Sequence, residues 1–146
     1  MAAGVRIADD DTWADIFSRV LVERIEPKLG IGRATILDEY PAALAALARP
    51  SSDPRVAERF ELYVCGVEIA NGFAELTDPL EQRRRLEAEM AEKARRYGER
   101  YPLDEDFLAA LAQMPDACGI ALGLDRLVML ATGASRIDQV LWAPMA

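Results

Sequence analysis

Polar and apolar residues alternate over two short segments, residues 59–64 and 67–76, with Cys65-Gly66 between them. This alternation predicts β-strands, because successive side chains of a strand point to opposite faces of a sheet. Glycine tolerates the positive φ of a tight turn, so we expect a hairpin with a two-residue turn. One face carries Leu62, Val64, Val67 and Ile69, and the other carries Glu61, Tyr63, Glu68 and Ala70. This pattern indicates either a half-solvated hairpin or the floor of a site.

A spacing of apolar residues near 3.6 predicts a first helix after Asp9-Asp10-Asp11. We expect one of these aspartates to cap the helix, and Pro27 and Gly30 to end it. Its apolar stripe is wide, so the helix should pack firmly on the sheet or on a partner. The stripe consists of Trp13, Ile16, Phe17, Val20, Leu21 and Ile25.

The next segments are less regular. Residues 34–37 are predicted to form a short strand and residues 49–54 a loop. Residues 42–48 are rich in alanine and leucine, which favours a helix. If tertiary contacts override this helix propensity, an extended conformation is expected instead.

A long helix is predicted to begin after Asp78 and to run to about Tyr97. Asp78 is the expected N-cap, with Glu81 completing a capping box. Arg83-Arg84-Arg85 is interpreted as a solvated face, and the inner face is predicted to contain Leu86, Met90, Ala94 and Tyr97. A shorter helix, expected to be capped by Asp104, turns Phe107, Leu108 and Leu111 inward.

Residues 118–124 predict a buried strand, followed by a helix over residues 126–132 with Asp125 as its cap. Small residues on one strand face allow a flat ligand to lie against the backbone. Arg126 stands at the positive end of the helix, which suits a phosphate. This combination favours a nucleotide site. The alternative is a tightly packed strand–helix corner with a surface arginine.

The composition narrows the classes of function. The chain has 146 residues, 51% of them apolar, and is predicted to form one domain. A net charge of −8 argues against a broad nucleic-acid surface, but not against a local basic pocket. The absence of histidine excludes histidine general bases and most zinc and haem sites.

The expected location is the cytoplasm. Cys65 and Cys118 fit no metal spacing and are predicted to be free thiols in a reducing compartment. Residues 1–6 lack the apolar region of a signal peptide. No run approaches the roughly 18 apolar residues of a membrane span, so no membrane partner is expected.

Two segments resemble class II aminoacyl-tRNA synthetases of lysyl type. Residues 67–78 are similar to the stretch that precedes the last catalytic motif of that family. Residues 119–130 resemble its motif 3, a Gly-x-Gly-hydrophobic-Asp-Arg sequence followed by apolar residues. Residues 53–61 and 114–116 are most similar to the truncated paralogues, the elongation factor P–(R)-β-lysine ligases. The resemblance implies an α+β fold, a partial class II synthetase-like core with helices packed on an antiparallel sheet.

The resemblance also implies roles in nucleotide binding. Glu68 would bind ATP, partly through Mg²⁺, and Ile69 would line the nucleotide site. Gly123 would lie against the adenosine. Arg126 would be the catalytic residue, holding the γ-phosphate end of a bent ATP.

A second set of roles concerns the amino-acid substrate, lysine or β-lysine. Glu75 would bind its amino group and, with Glu68, is a candidate magnesium ligand. Asn71 and Phe73 would shape the pocket. Ala121 stands where lysyl-tRNA synthetases usually carry glycine and the paralogues carry alanine, so its methyl group would reshape the pocket toward β-lysine.

The implied reaction activates the amino acid as an adenylate and transfers it to elongation factor P. Full-length members of the family form homodimers. Motif 1, and motif 2 with its Phe-Arg-x-Glu element, have no counterpart in this sequence. We therefore expect residues 1–146 to be the C-terminal portion of such a catalytic domain, unable alone to catalyse pyrophosphate exchange.

Three other interpretations stay open at this point. The chain can be a fragment of a conventional lysyl-tRNA synthetase, with tRNA as its acceptor. It can be a non-catalytic remnant that binds nucleotide. The third interpretation is an α+β domain with a resemblance of structure only.

Overall fold

The computed structural model describes residues 4–143. Residues 1–3, half of the segment in which no signal peptide is predicted, lie outside the described residues, as do residues 144–146. In the part of the chain that is described, no helix combines the length and apolar character that crossing a membrane requires.

A four-stranded sheet has the order β1-β4-β5-β6. Its strands are β1 (Thr35–Leu37), β4 (Arg59–Val64), β5 (Val67–Ala74) and β6 (Cys118–Leu122). β1 and β4 are antiparallel, with Ile36 opposite Leu62. Cys65 and Gly66 both have positive φ, 51° and 77°, which confirms the predicted two-residue turn between β4 and β5. A second, two-stranded sheet pairs β2 (Tyr40–Pro41) with β3 (Val56–Ala57).

The helices are α1 (Trp13–Val20), α2 (Pro79–Tyr97), α3 (Glu105–Leu111) and α4 (Leu124–Thr132). Together with the antiparallel sheet, they confirm the predicted α+β fold. α1 continues as a π-helical turn and then a 3₁₀ turn, which ends at Lys28. Over residues 42–48 only a 3₁₀ turn, Ala42–Leu44, forms, and Ala48 instead forms an antiparallel bridge with Glu75. Tertiary pairing therefore overrides helix propensity there.

Two predicted caps are wrong. α1 is capped by Thr12, whose side chain accepts from the Asp15 N–H in a capping box, while Asp11 pairs with Arg19 at 2.6 Å. α4 begins one residue before Asp125, so that Gly123 occupies the N-cap position. In both cases a local geometry that the sequence pattern does not reveal displaces the expected aspartate.

Asp78 and Asp104 cap α2 and α3 as predicted, but the predicted capping box of α2 is wrong, because the Glu81 carboxylate binds arginines and does not return to the Asp78 N–H. Asp78 accepts hydrogen bonds from the N–H groups of Leu80 and Glu81 and caps α2, and Asp104 caps α3 by accepting from Phe107. The carboxylate of Glu81 binds two arginines, Arg84 and Arg85.

Several predicted burial patterns are wrong. In α1 and the π-helical turn after it, Trp13 is 60% exposed and only Leu21 is buried among the stripe residues. Firm packing of the stripe on the sheet is therefore wrong, and packing on a partner stays a prediction. β6 is expected to be buried, yet all five of its residues are exposed, because the other described elements leave the side chains of this edge strand uncovered. Tyr97 and Phe107, both expected to face inward, are also exposed.

The carboxylate-bearing face of β4 is more buried than its apolar face. Glu61 is 6% exposed and Tyr63 is fully buried, whereas Leu62 and Val64 are half-buried. The Tyr63 hydroxyl donates to the Glu61 carboxylate at 2.6 Å, so both polar groups are satisfied without water. Cys65 and Cys118 are free and exposed, as predicted.

The described residues divide into two compact units. The first contains residues 4–38, 60–72 and 120–143, with Leu21, Tyr63 and Ile69 among its buried residues. The second contains residues 39–59 and 73–119, and its core includes three buried alanines, Ala45, Ala48 and Ala57, against which Phe73 packs. A single domain over residues 1–146 stays a prediction.

Gly30 is predicted to be essential to the packing of the first unit. A Cβ at Gly30 would lie 2.5 Å from the Tyr63 carbonyl oxygen, and the residue has φ of +72°. Gly32 has φ of +78° with nothing within 4 Å. We expect Gly30→Ala to lower the free energy of unfolding by about 1–3 kcal/mol more than Gly32→Ala, measured by urea denaturation. Equal losses would contradict the close approach at Gly30.

Candidate functional site

The start of α4 is attached to β5 by its backbone. The Gly123 N–H donates to the carbonyl oxygen of Ile69 at 2.9 Å, and the Gly123 carbonyl accepts the first helical hydrogen bond from Leu127 at 3.0 Å. Gly123 therefore belongs to both the helix cap and the β5 contact. Position 126, in the first turn of α4, is placed by this attachment.

Arg126 reaches Glu68 on β5. Its Nη1 donates to the carbonyl oxygen of Glu68 at 2.8 Å and to the carboxylate oxygen Oε2 at 3.1 Å. The side chains are 45% and 30% exposed, so this ion pair contributes little to stability. A guanidinium has five N–H donors, and both contacts use Nη1. The Nε and Nη2 side of the group is suited to binding an anion.

A pocket of about 300 Å³ lies at this corner of the first unit. It is small for an organic ligand by the usual range of about 300–1,000 Å³. Six of the residues predicted for the site line it together: Glu68, Ile69, Asn71, Ala121, Gly123 and Arg126. The residues that the resemblance indicates on β5 and within residues 119–126 thus lie on one continuous surface.

Four further lining residues were not predicted: Ala70, Leu122, Asp125 and Ile137. Three of them adjoin predicted positions. Ile137 lies in a 3₁₀ turn after α4, and nothing in its local pattern indicates that it returns to the pocket.

Glu75 and Phe73 belong to the second unit. The Glu75 N–H donates to the Ala117 carbonyl oxygen at 3.0 Å. A Cβ at Gly119 would lie 3.0 Å from Oε1 of Glu75, so the missing side chain at position 119 leaves space for this carboxylate. Phe73 packs on the buried alanines of the core. Their predicted roles in substrate binding stay predictions.

Asn71 lies beside an acidic cluster, which consists of Glu26, Glu61 and Glu68. Its Nδ2 donates to Oε1 of Glu61 at 3.3 Å, and the other oxygen of Glu61 accepts from Tyr63. Burial raises the pKa of nearby Glu26; a hydrogen bond with Tyr63 opposes this shift, while Glu61 and Glu68 add to it. The alternation of β4 placed Glu61 on the carboxylate face, but no pattern pointed to Glu26.

The donor set at this corner is compatible with Mg²⁺ bound together with a nucleotide. Among residues 4–143 there is no group of three or more carboxylate, thiol or imidazole side chains that could hold a metal by itself. Mg²⁺ usually keeps several waters and takes one or two carboxylates plus substrate phosphates. The half-buried carboxylate of Glu68, beside Arg126, meets that requirement.

Sequence comparison identifies one family. The family described as class II tRNA synthetases (D, K and N) matches residues 22–146. A protein of Proteus mirabilis named elongation factor P–(R)-β-lysine ligase is 47% identical over 142 residues, covering 95% of this chain and 44% of the relative. A protein of the same name from Klebsiella pneumoniae is 47% identical over 138 residues, covering 92% and 42%. The chain therefore spans less than half the length of these relatives.

Glu26 is predicted to make stability depend on pH. A carboxyl group with a raised pKa binds its proton more tightly in the folded state, so stability falls as pH rises above the ordinary value of 4.5. Arg126 partly offsets the repulsion from the acidic neighbours. We expect Glu26→Gln to gain stability relative to wild type as pH rises from 4.5 to 7.5, measured by urea unfolding at several pH values.

Glu89→Gln, at an exposed glutamate of α2, serves as the control for this measurement. If the two variants follow the same pH profile, the burial of Glu26 does not affect stability in this way.

Proposed function

Because this chain belongs to the class II tRNA synthetases of the D, K and N group, we propose that it forms part of an ATP-dependent, amino-acid-activating ligase of lysyl type. The predicted family resemblance is confirmed, and its relatives at 47% identity carry the name elongation factor P–(R)-β-lysine ligase. The single observation that carries the proposal is the position of Arg126. It lies in the first turn of α4, contacts Glu68 and lines the pocket.

The proposed reaction has two steps. The carboxylate of lysine or β-lysine attacks the α-phosphorus of ATP, which gives the aminoacyl-adenylate and releases pyrophosphate. An amine of elongation factor P then takes the acyl group, and AMP leaves. The protein contributes mainly by positioning the reactants and stabilising charge.

Arg126 and Gly123 act on the nucleotide in this proposal. The Nε and Nη2 side of Arg126 binds the terminal phosphate, while the Glu68 carbonyl and carboxylate hold Nη1 and fix the direction of the guanidinium. Gly123 presents bare backbone to the adenosine, and Ile69 lines the same pocket. A bidentate contact of this kind gives direction as well as binding energy.

Glu68 is the residue that would hold Mg²⁺, with Glu75 as a second candidate. When bound, the ion neutralises part of the negative charge on the ATP phosphates. Glu68 would therefore contact both the cation and the arginine.

The amino-acid substrate is proposed to bind through Glu75, whose carboxylate neutralises the substrate ammonium group. Asn71 is held by Glu61 and can orient a polar group of the substrate. Ala121 lines the pocket, where its methyl group restricts the space. The role of Phe73 in shaping the substrate site is proposed from the family alone, since this residue packs on the buried alanines of the second unit.

The chain alone is proposed to form no adenylate. Among the described residues that line the pocket, Arg126 is the only cation, and a triphosphate carries more charge than one arginine balances. The remainder of the active site, a homodimer and a cytoplasmic location are proposed from the family. Elongation factor P is favoured over tRNA as acceptor by the names of the relatives, and by the net charge of −8.

Arg126→Ala is predicted to weaken ATP binding. Lost hydrogen bonds to a charged ligand cost about 1.5–3 kcal/mol, so the Kd for ATP should rise about 10- to 100-fold in isothermal titration with MgCl₂. Arg136→Ala is the matched control, because Arg136 is 71% exposed in the same unit and pairs with Asp138. Equal ATP binding by wild type and Arg126→Ala would remove Arg126 from the phosphate role.

A further inference from the structure

Arg85 differs from the adjacent arginines of α2 by being largely buried. Its side chain is 13% exposed, whereas that of Arg84 is 70% exposed. The interpretation of residues 83–85 as a solvated face is therefore wrong for Arg85. Its Nη1 donates to three backbone carbonyl oxygens, those of Ala45 (3.0 Å), Ala46 (3.4 Å) and Ala48 (2.9 Å).

Gln82 contacts the same segment from the preceding turn of α2. It is 1% exposed, and its Nε2 donates to the Ala46 carbonyl oxygen at 3.2 Å. Residues three apart lie on one face of a helix, so Gln82 and Arg85 form a single polar edge. Residues 45–48 are here called the alanine turn. Buried polar groups need hydrogen-bond partners, and the backbone carbonyls of the alanine turn provide them for Gln82 and Arg85.

The alanine turn also contacts the strand segment that carries Glu75. Ala48 and Glu75 form an antiparallel bridge. The Leu76 N–H donates to the Leu47 carbonyl oxygen at 3.0 Å, and the Arg49 N–H donates to the Ala74 carbonyl oxygen at 2.8 Å. These hydrogen bonds lie on both sides of Glu75. The alanine turn therefore holds the backbone on both sides of Glu75, while the Glu75 N–H itself is bound by Ala117.

The carboxylate of Glu75 occupies the space that the missing side chain of Gly119 leaves. Its Oε1 lies close to Gly119, at a position where a Cβ would be only 3.0 Å away. Binding groups generally have to be held within about 0.5 Å of their working geometry. A shift of the alanine turn would move the carboxylate away from this contact.

We propose that Arg85 and Gln82 are positioning residues for Glu75, and that they act through the carbonyl groups of the alanine turn. Neither side chain is proposed to touch the substrate. The proposal rests on the amine-binding role proposed above for Glu75. It assigns a purpose to two buried polar side chains of α2 that the nucleotide site does not use.

The test compares Arg85→Met with Arg84→Met in the full chain. Arg84 also pairs with Glu81, but it is exposed, so its loss controls for charge and for the ion pair. Two quantities are measured: hydrogen exchange of the Leu76 and Arg49 amides, and the Kd values for L-lysine and (R)-β-lysine. We expect Arg85→Met to raise the hydrogen-exchange rates of both amides at least tenfold and the Kd values for both amines at least fivefold. For Arg84→Met, the same rates and Kd values should stay within twofold of wild type.

The amide of Leu108 donates to the carbonyl oxygen of Asp104, the N-cap of α3, and serves as the control outside the alanine turn, where protection should not change. If Arg85→Met also speeds hydrogen exchange of the Leu108 amide, Arg85→Lys is used as the test variant in its place. Lysine keeps the positive charge but lacks the forked set of N–H donors. The proposal is overturned if the Arg85 variant used leaves the Leu76 and Arg49 amides as protected from exchange as Arg84→Met does. Faster exchange with unchanged amine binding overturns it too.

Glu75→Gln separates this proposal from the proposed function. If Glu75→Gln binds both amines as wild type does, the role of Glu75 fails, and the positioning proposal fails with it. If Glu75→Gln loses binding while Arg85→Met keeps it, the proposed function survives and only the positioning role is lost.

Discussion

The hydrogen bond from the Gly123 N–H to the Ile69 carbonyl oxygen is the contact on which the candidate site depends. It joins the start of α4 to β5 at the point where the helix has unpaired N–H groups and a partial positive charge. Three residues later, Arg126 turns back to Glu68 on the same strand. One backbone contact therefore determines where a cation, a carboxylate and bare backbone meet.

The charges around this corner explain why an anion and a cation would bind together. The negative charges of Glu61 and Glu68 add to the raised pKa of Glu26, which burial mainly causes, and the positive charge of Arg126 lowers that pKa. A triphosphate placed there without a metal would face this acidic cluster. A divalent ion bound with the nucleotide reduces that repulsion, which is why the proposed ligand is the magnesium complex of ATP.

Much of the fold is local enough to be predicted from the sequence. Cys65-Gly66 gave the hairpin turn, Asp78 the start of α2, and the spacing from Gly119 to Arg126 the pocket-lining surface. The errors have distant causes. The exposure of β6 depends on which elements lie over the sheet, and the burial of Arg85 depends on carbonyl groups about 40 residues away in sequence. Neither relation is present in a pattern of neighbouring residues.

The most direct test of the nucleotide site is a titration of the ¹⁵N-labelled chain with a magnesium complex of a non-hydrolysable ATP analogue. The predicted result is a set of amide chemical-shift changes centred on Glu68, Ile69, Gly123 and Arg126. These changes should be absent when adenosine without phosphates is titrated instead. Shift changes centred on α2 and α3, or none at saturating analogue, would contradict the nucleotide site.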